Sequence, residues 1–556
     1  MYPKISDPKF QQKIAIKFSE YHISKTKKSF EDFCFPTEYT LQQPQKFLAA
    51  YIHPDTPYKK VLIYHKIGGG KTCAAISICE NFKNQKTIYV VLPAFLINSF
   101  RFELRGKCTG SNYLTDDERH FLEQNSPTHP TYQEIIARSD DKINKWYNIY
   151  SYNKFIDNLK NKSIKLSNAI VIIDEVQNMV SEDGIYYEIL YKAIKKAPKD
   201  LRLVIMSATP IFDKPAELAL TFNLLLDNPM PTSDHFYKKY LNITDTGATV
   251  KNMDSFKKLI KGHVSYYVGA PSYVFPKHTI TYVRCIMSDL QLRMYSYIAK
   301  IENDNIDWIE SELTNKYFSG TRSCSNFAYP DYTHYTKMTD SQFKLPQLAK
   351  YSTKYVKIIE QITKSKGTVF IYSNFRKMGG LQSMARSLLS NGYSDYAADG
   401  EGPNRFAIWS GKETTKYRDL VRSVFNTKDN TTGSKIKIIL GSPSIREGVS
   451  LLRLTEIHIV EPYWNLSRIE QVMGRGIRFC SHRDLPAPNR LVEVYIYLSV
   501  HKSLPMSVDQ RIMDIAVKKK TINKQFEQAL KESAIDCDLF SNANIGPNDN
   551  YKCNDN

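Results

Sequence analysis

Strand-sized apolar runs recur along this chain, each followed by a helical or turn segment: Lys60–Tyr64, Thr87–Leu92, Ala169–Ile173 and Leu203–Met206. That alternation predicts a parallel sheet covered by helices. After a long gap a second set appears, at Thr368–Tyr372, Phe406–Trp409, Lys437–Leu440, Glu456–Val460 and Val492–Leu498. Two separate parallel sheets of an α/β protein are therefore expected.

The gap reads differently. Residues 227–345 are rich in Tyr, Lys, Asn and Ser and include DNPMPTSD and SNFAYPDYTHYTKMTD, which predicts a linker with a partly helical insertion. From Ser507 to Leu539 the spacing of Ile512, Ile515, Ala516, Ile522, Phe526 and Leu530 is helical. The closing SNANIGPNDNYKCNDN has the composition of a frayed end. The expected division is an N-terminal extension (1–40), a first domain (41–226), the linker and insertion (227–345), a second domain (346–505) and a helical tail with a disordered end (506–556). No internal repeat is visible.

A chain of 556 residues is too long for one ordinary core, which agrees with several domains. At 42% hydrophobic and 24% charged residues it has a globular balance. No stretch approaches the roughly 20 apolar residues that cross a bilayer, and the opening MYPKISDPKF lacks the apolar core of a secretory signal. No membrane association and a cytosol-like compartment are expected. Nine cysteines lie scattered without a CxxC pair, so reduced, structural thiols are expected. Lys and Arg number 76 against 57 Asp and Glu, a formal charge of +19. Such an excess favours polyanions, nucleic acid first, with an anionic surface or an acidic partner as the alternative.

The candidate chemistry narrows this. VLIYHKIGGGKT sets an apolar strand directly before Gly68, Gly69, Gly70, Lys71 and Thr72, and CAAISICENF after them favours helix. Glycines let the backbone approach phosphate oxygens, and the helix adds its positive end. Lys71 would contact the β- and γ-phosphates of ATP, and Thr72 would offer its hydroxyl to Mg²⁺. The strict pattern opens with glycine, and here His65 stands in that place. Ala169–Ile173 then ends in Asp174-Glu175-Val176-Gln177. A carboxylate at the C-terminal edge of a parallel strand lies where such sheets bind ligands. Asp174 suits Mg²⁺, and Glu175 suits proton acceptance from an attacking water. Near the far end, Arg475 and Arg478 are three residues apart, a spacing that puts both on one face of a helical turn. Guanidinium forks suit a developing phosphoryl charge. Taken alone, that segment would read first as a basic surface turn.

Read in order, these pieces resemble the motif series of superfamily 2 helicases. Leu41 to Gln45 resembles the stretch before motif I, IGGGKT motif I, VLPAFLINSF motif Ia, DEVQ motif II, and Ser207-Ala208-Thr209-Pro210 motif III. VFIYSNF resembles motif IV, REGVSL motif V and QVMGRGIR motif VI, so the likeness spans Leu41 to Arg478. SATPIFDKPAELALTFNLLL is similar to the Snf2-like neighbourhood of motif III. GRGIRFCSHRDLP, VEVYIYL and KESAIDCDLF resemble a group from large cytoplasmic DNA viruses that includes poxvirus nucleoside triphosphatase I and the helicase-like subunit of the early transcription factor.

The resemblance implies two RecA-like parallel-sheet domains in tandem, with a partly helical insertion, a helical C-terminal tail, and ATP with Mg²⁺ held in the cleft between the domains. It assigns phosphate and metal to Gly68, Gly69, Gly70, Lys71, Thr72 and Asp174, and the general base to Glu175. It puts adenine near Gln45, although LQQPQ departs from the usual pattern. Ser207 and Thr209 would couple ATP state to the nucleic-acid track, with Gly448, Ser450 and Gln471 near ATP and backbone. Arg475 and Arg478 would complete the site on domain closure, and Pro93, Tyr152 and Asn374 would line the track. DEVQ in place of DEAD or DEAH leaves both carboxylates. The implied activity is a nucleic-acid-dependent ATPase, a DNA helicase or a duplex translocase serving viral transcription. The implied partners are DNA ahead of RNA, and viral RNA polymerase or transcription factor subunits. The implied location is the viral factory of the host cytoplasm, and the virion. The alternatives are an ATP-switched transcription factor subunit that binds promoter DNA and polymerase, and an RNA helicase.

Overall fold

The computed structural model describes residues 1–24, 28–66, 68–126, 129–181, 184–244, 247–303, 318–330, 338–445, 449–545 and 552–553. The strands in chain order are β1 (Lys60–His65), β2 (Thr87–Leu92), β3 (Tyr147–Ser151), β4 (Ala169–Ile173), β5 (Arg202–Met206), β6 (Leu241–Thr244), β7 (Gly247–Val250) and β8 (Val264–Tyr267) in the first part. The second part holds β9 (Lys277–Ile286), β10 (Thr368–Tyr372), β11 (Ser394–Asp395), β12 (Arg405–Trp409), β13 (Ile438–Gly441), β14 (Leu454–Ile459) and β15 (Leu491–Val500). Two compact units result: Met1–Pro271 with Thr521–Asn556, and Ser272–Lys520.

Unit 1 is built on a sheet of order β3-β2-β4-β5-β1-β8, with every pairing parallel. Alternate residues of β1 enter different cores: Leu62 and Tyr64 join one apolar layer, Val61 and Ile63 the other. A strand buried on both faces has no polar position to spare, which is why it reads as an unbroken apolar run. Unit 2 carries the order β11-β12-β13-β10-β14-β15-β9, again with parallel pairings, and β10 splits likewise, Val369 and Ile371 against Phe370 and Tyr372. The α/β class with two parallel sheets is as expected.

The stretch 227–345 differs from its expected role as linker and insertion, because it supplies an edge strand to each sheet. β8 pairs with β1 in unit 1, and β9 pairs along ten residues with β15 in unit 2. β9 is mostly solvent-exposed and β8 only four residues long, so neither presents the long apolar run that marks a central strand. The tail is likewise no appendage. Helix Val508–Glu532 begins in unit 2, where Asp509 accepts from Ser499 N at 2.8 Å and pairs with the fully buried Lys354 at 2.7 Å. Its residues from Thr521 on belong to unit 1, where Phe526, Leu530, Ile535 and Phe540 are buried in the two cores. Part of the segment expected to fray is ordered as well. A helical turn forms at Ser541–Asn544, and Asn544 is bonded to both Val268 N and Tyr266 O. Cys537 and Cys553 form a disulfide, against the expectation of reduced thiols; a pair sixteen residues apart carries no motif signal. Among the described residues no helix is long and apolar enough to cross a membrane.

Candidate active site

β4, β5 and β1 are neighbours in the unit 1 sheet, and the three apolar runs end together. Asp174 N donates to Val91 O at 2.9 Å, and Ser207 N donates to Ile63 O at 3.1 Å. Adjacent strands lie about 4.8 Å apart, so the turn after β4 sits roughly 10 Å from the turn after β1. Phosphate-loop, acidic and SATP segments therefore share the carboxyl edge of one sheet, where ligands of open α/β sheets bind. Pro93 ends the neighbouring β2 on the same edge.

The glycine loop leads into helix Lys71–Glu80. Gly70 has φ +68°, and a Cβ there would lie 2.3 Å from Gln45 Nε2. A side chain there would be strained by the left-handed backbone and would displace the Gln45 amide from the loop. Lys71 Nζ donates to His65 O at 3.1 Å, so its charge is parked across the loop. Gln45 donates to Gly70 O at 3.2 Å and accepts from Gln42 N at 2.8 Å. It thus braces the loop as well as capping its own helix, Gln43–Tyr51.

Asp174 Oδ1 accepts from Glu175 N at 2.9 Å, and Glu175 Oε2 accepts from Gln177 Nε2 at 2.7 Å. Glu175 sits in the left-handed region at φ +49°, ψ +49°, a conformation a non-glycine residue holds at a cost of about 1–2 kcal/mol. Such strain collects where function needs an unusual side-chain direction. Tyr152 maintains it: its hydroxyl is shared between Asp174 O at 2.6 Å and Glu175 O at 3.0 Å. Tyr152, expected on the nucleic-acid track, is buried and spends its polar end on this turn. Ser207 is fully buried, and its Oγ accepts from Thr209 N at 3.0 Å, closing the SATP turn on itself.

In unit 2 the helix Leu466–Met473 stops before the two arginines. They lie on the turns that follow it, yet both reach one acceptor. Arg475 Nη1 and Arg478 Nη1 each donate to Val449 O at 3.3 Å, and Arg478 also donates to Ser450 Oγ. Motifs V and VI are thereby tied together around Val449 and Ser450; Gly448 lies outside the described residues. Arg475 is 7% exposed, and its Nε donates to Gln471 O at 3.0 Å. Replacing Arg475 with Ala removes the side-chain donor to Gln471 O and one of the two donors to Val449 O, at about 1–3 kcal/mol. A thermal melt of Arg475→Ala is expected to fall by about 2–4 °C for each kcal/mol lost. An unchanged melt would remove the structural role.

Asn374 follows β10 and is held by Glu461, a residue that sequence reasoning missed. Glu461 is fully buried after β14 and accepts from Asn374 N and Nδ2, from Ser373 Oγ and from Asn326 Nδ2. Burial raises its carboxyl above the ordinary range, opposed by Arg322. No local motif announces it; only the adjacency of β10 and β14 does.

The model of the SNF2-related domain matches residues 46–328. A protein of Acanthamoeba polyphaga mimivirus described as ATP-dependent RNA helicase R563 is 50% identical, over 98% of this chain and 97% of its own length. The chain belongs to the SNF2-related helicase family. A second mimivirus protein, described as ATP-dependent RNA helicase R350, is 27% identical over 95% of this chain and 78% of its own. A termination factor NPH-I homolog of African swine fever virus is 26% identical over 86% of this chain and 76% of its own. As a family member the chain is an ATP hydrolase of helicase type, related to helicases of large DNA viruses.

Proposed function

We propose that this SNF2-related ATPase is driven by nucleic acid, DNA ahead of RNA, and moves along it during viral transcription. The observation that carries the reading is the convergence of Lys71, Asp174, Glu175 and Ser207 on one sheet edge. Lys71 leaves His65 O to meet the β- and γ-phosphates, and Gly68, Gly69 and Gly70 present their backbone to the same oxygens. The residues fit Mg²⁺: Thr72 and Asp174 offer hard oxygen donors, and Mg²⁺ commonly takes one or two carboxylates with water and phosphate completing the shell. When bound, the ion neutralises phosphate charge. Glu175 accepts the proton of the attacking water. Arg475 and Arg478 serve the developing phosphoryl charge, and Gln45 the adenine. Thr209, Ser450 and Gln471 couple nucleotide state to the track that Pro93 and Asn374 line.

A charge of +19 supports binding through phosphates, which makes affinity fall with salt. The African swine fever virus relative, a termination factor homolog by its description, supports a transcription role; the viral factory, the virion and polymerase as partner belong to the same proposal. The mimivirus relatives are described as RNA helicases, which keeps RNA as the second reading.

ATPase activity measured in parallel with single-stranded DNA, duplex DNA and RNA tests this. Stimulation by DNA above RNA is expected, and Lys71→Ala is expected to lower the stimulated rate by about 10²-fold or more. Equal rates with and without nucleic acid, or full activity in Lys71→Ala, would refute it.

A further inference from the structure

Three buried residues form a hydrogen-bonded chain behind the phosphate loop: His65 stands at the first position of the phosphate-loop segment and Asp536 within KESAIDCDLF, yet no role is assigned above to the side chain of either or of Ser265. His65 closes β1, Ser265 lies on the neighbouring β8, and Asp536 follows the helix Val508–Glu532. All three are fully buried. His65 Nε2 lies 3.0 Å from Ser265 Oγ, and Ser265 Oγ donates to Asp536 Oδ2. Asp536 Oδ1 also accepts from Tyr266 N at 2.9 Å. At the loop end, His65 O is the acceptor that holds Lys71. The Ser265 hydroxyl is the side-chain anchor of the His65 ring, and the Gly69 backbone is a second polar group beside it.

We infer that Asp536 and Ser265 are positioning residues of the ATPase site, setting the phosphate loop through His65, so that the C-terminal segment is part of the nucleotide-binding machinery. The inference rests on the phosphate-loop reading proposed above. Its physical basis is the direction of the chain. An ionised Asp536 accepts from Ser265, whose oxygen then accepts from His65 Nε2–H. A neutral side chain at 536 that donates instead turns Ser265 toward His65 as donor and demands the opposite imidazole tautomer. Burial pushes the Asp536 carboxyl up to about 7, so both arrangements are accessible near neutral pH. Burial, then the charge of Lys71, push His65 down to about 3, so the ring stays neutral throughout. Tyr51, from the helix Gln43–Tyr51, is the other titratable group facing Asp536, and burial raises it further above its already alkaline value.

The backbone supports the same coupling. Ile535 N donates to Val264 O at 2.7 Å, and Lys66 N donates to Tyr267 O at 3.0 Å. The tail is thus bonded to β8, and β8 to the first residue of the loop.

Asp536→Asn is near-isosteric and tests the direction without opening a cavity: its oxygen keeps Tyr266 N, and its amide must donate to Ser265. Steady-state ATPase of the full chain with saturating DNA, across neutral pH, is the measurement. We expect Asp536→Asn and Ser265→Ala to raise KM for ATP by about 3- to 10-fold, the worth of one hydrogen bond, with kcat nearly unchanged. Ser265→Thr, which keeps the hydroxyl, should restore KM. In the wild type KM should rise as pH falls through about 7, and in Asp536→Asn it should be high and flat. Binding of a fluorescent ATP analogue to the folded fraction covers any variant that melts early. Wild-type KM and pH profile in both Asp536→Asn and Ser265→Ala would overturn the inference. So would a lower melting temperature with unaltered nucleotide affinity. Lys71→Ala in the same assay separates the two claims: if it stays active the phosphate-loop reading fails, and if it is dead while Asp536→Asn behaves as wild type, only the positioning role fails.

Discussion

Arg478→Ala is expected to lower nucleic-acid-stimulated ATP turnover by about 10³-fold or more while ATP still binds. A guanidinium that meets the phosphoryl group as charge develops acts on the transition state, so the loss falls on kcat rather than on nucleotide affinity. Arg478 suits such a role better than Arg475. It is half-buried, and in this structure its guanidinium is held by Val449 O and the Ser450 hydroxyl, both of which remain hydrogen-bond capable in its absence. Arg475 is buried more deeply and braces motif V against motif VI, so its removal should show in the melt as well. Single-turnover hydrolysis beside equilibrium nucleotide binding makes the distinction. A fall in affinity equal to the fall in rate would assign Arg478 to ground-state binding and end the finger role.

Glu175→Gln is the second large effect, a loss of about 10²–10⁴-fold in turnover with the fold intact. Gln keeps the size and can still bond to Gln177, but it cannot take a proton from water. The backbone reason for choosing Gln over Ala is the left-handed conformation at 175, already held by Tyr152; a near-isosteric change leaves that turn alone. ATP should stay bound, and the trapped state should grip nucleic acid for longer, because hydrolysis no longer releases it. Promoter-dependent transcription in this variant also separates the remaining alternatives. Retained function would favour an ATP-switched binding subunit over a translocase. Turnover at the wild-type rate would strip Glu175 of its role.

How far the sequence alone reaches can be judged from particular elements. β2, β4 and β10 have the same limits in the chain pattern and in the structure. Each is buried on both faces, and an unbroken apolar run is what that environment requires. The glycine loop and the acidic turn are equally legible, because their chemistry depends on backbone approach and on carboxylates at a strand end, both local properties. β3, β8 and β9 escaped notice. They stand at sheet edges, where water on one side relaxes the demand for apolar residues.

The sequence by itself determined the two parallel sheets, the residues proposed to handle ATP and the net positive charge, since each follows from the chain alone. Only the tertiary structure decided that Tyr152 serves the acidic turn, that Glu461 holds Asn374, and that the tail's Asp536 reaches His65 by way of Ser265. Those partners are 200 and 271 residues apart in the last case. Contacts over such distances are set by which strands pair and which helices cover them, and a side chain that meets its partner only after folding leaves no periodic trace along the chain.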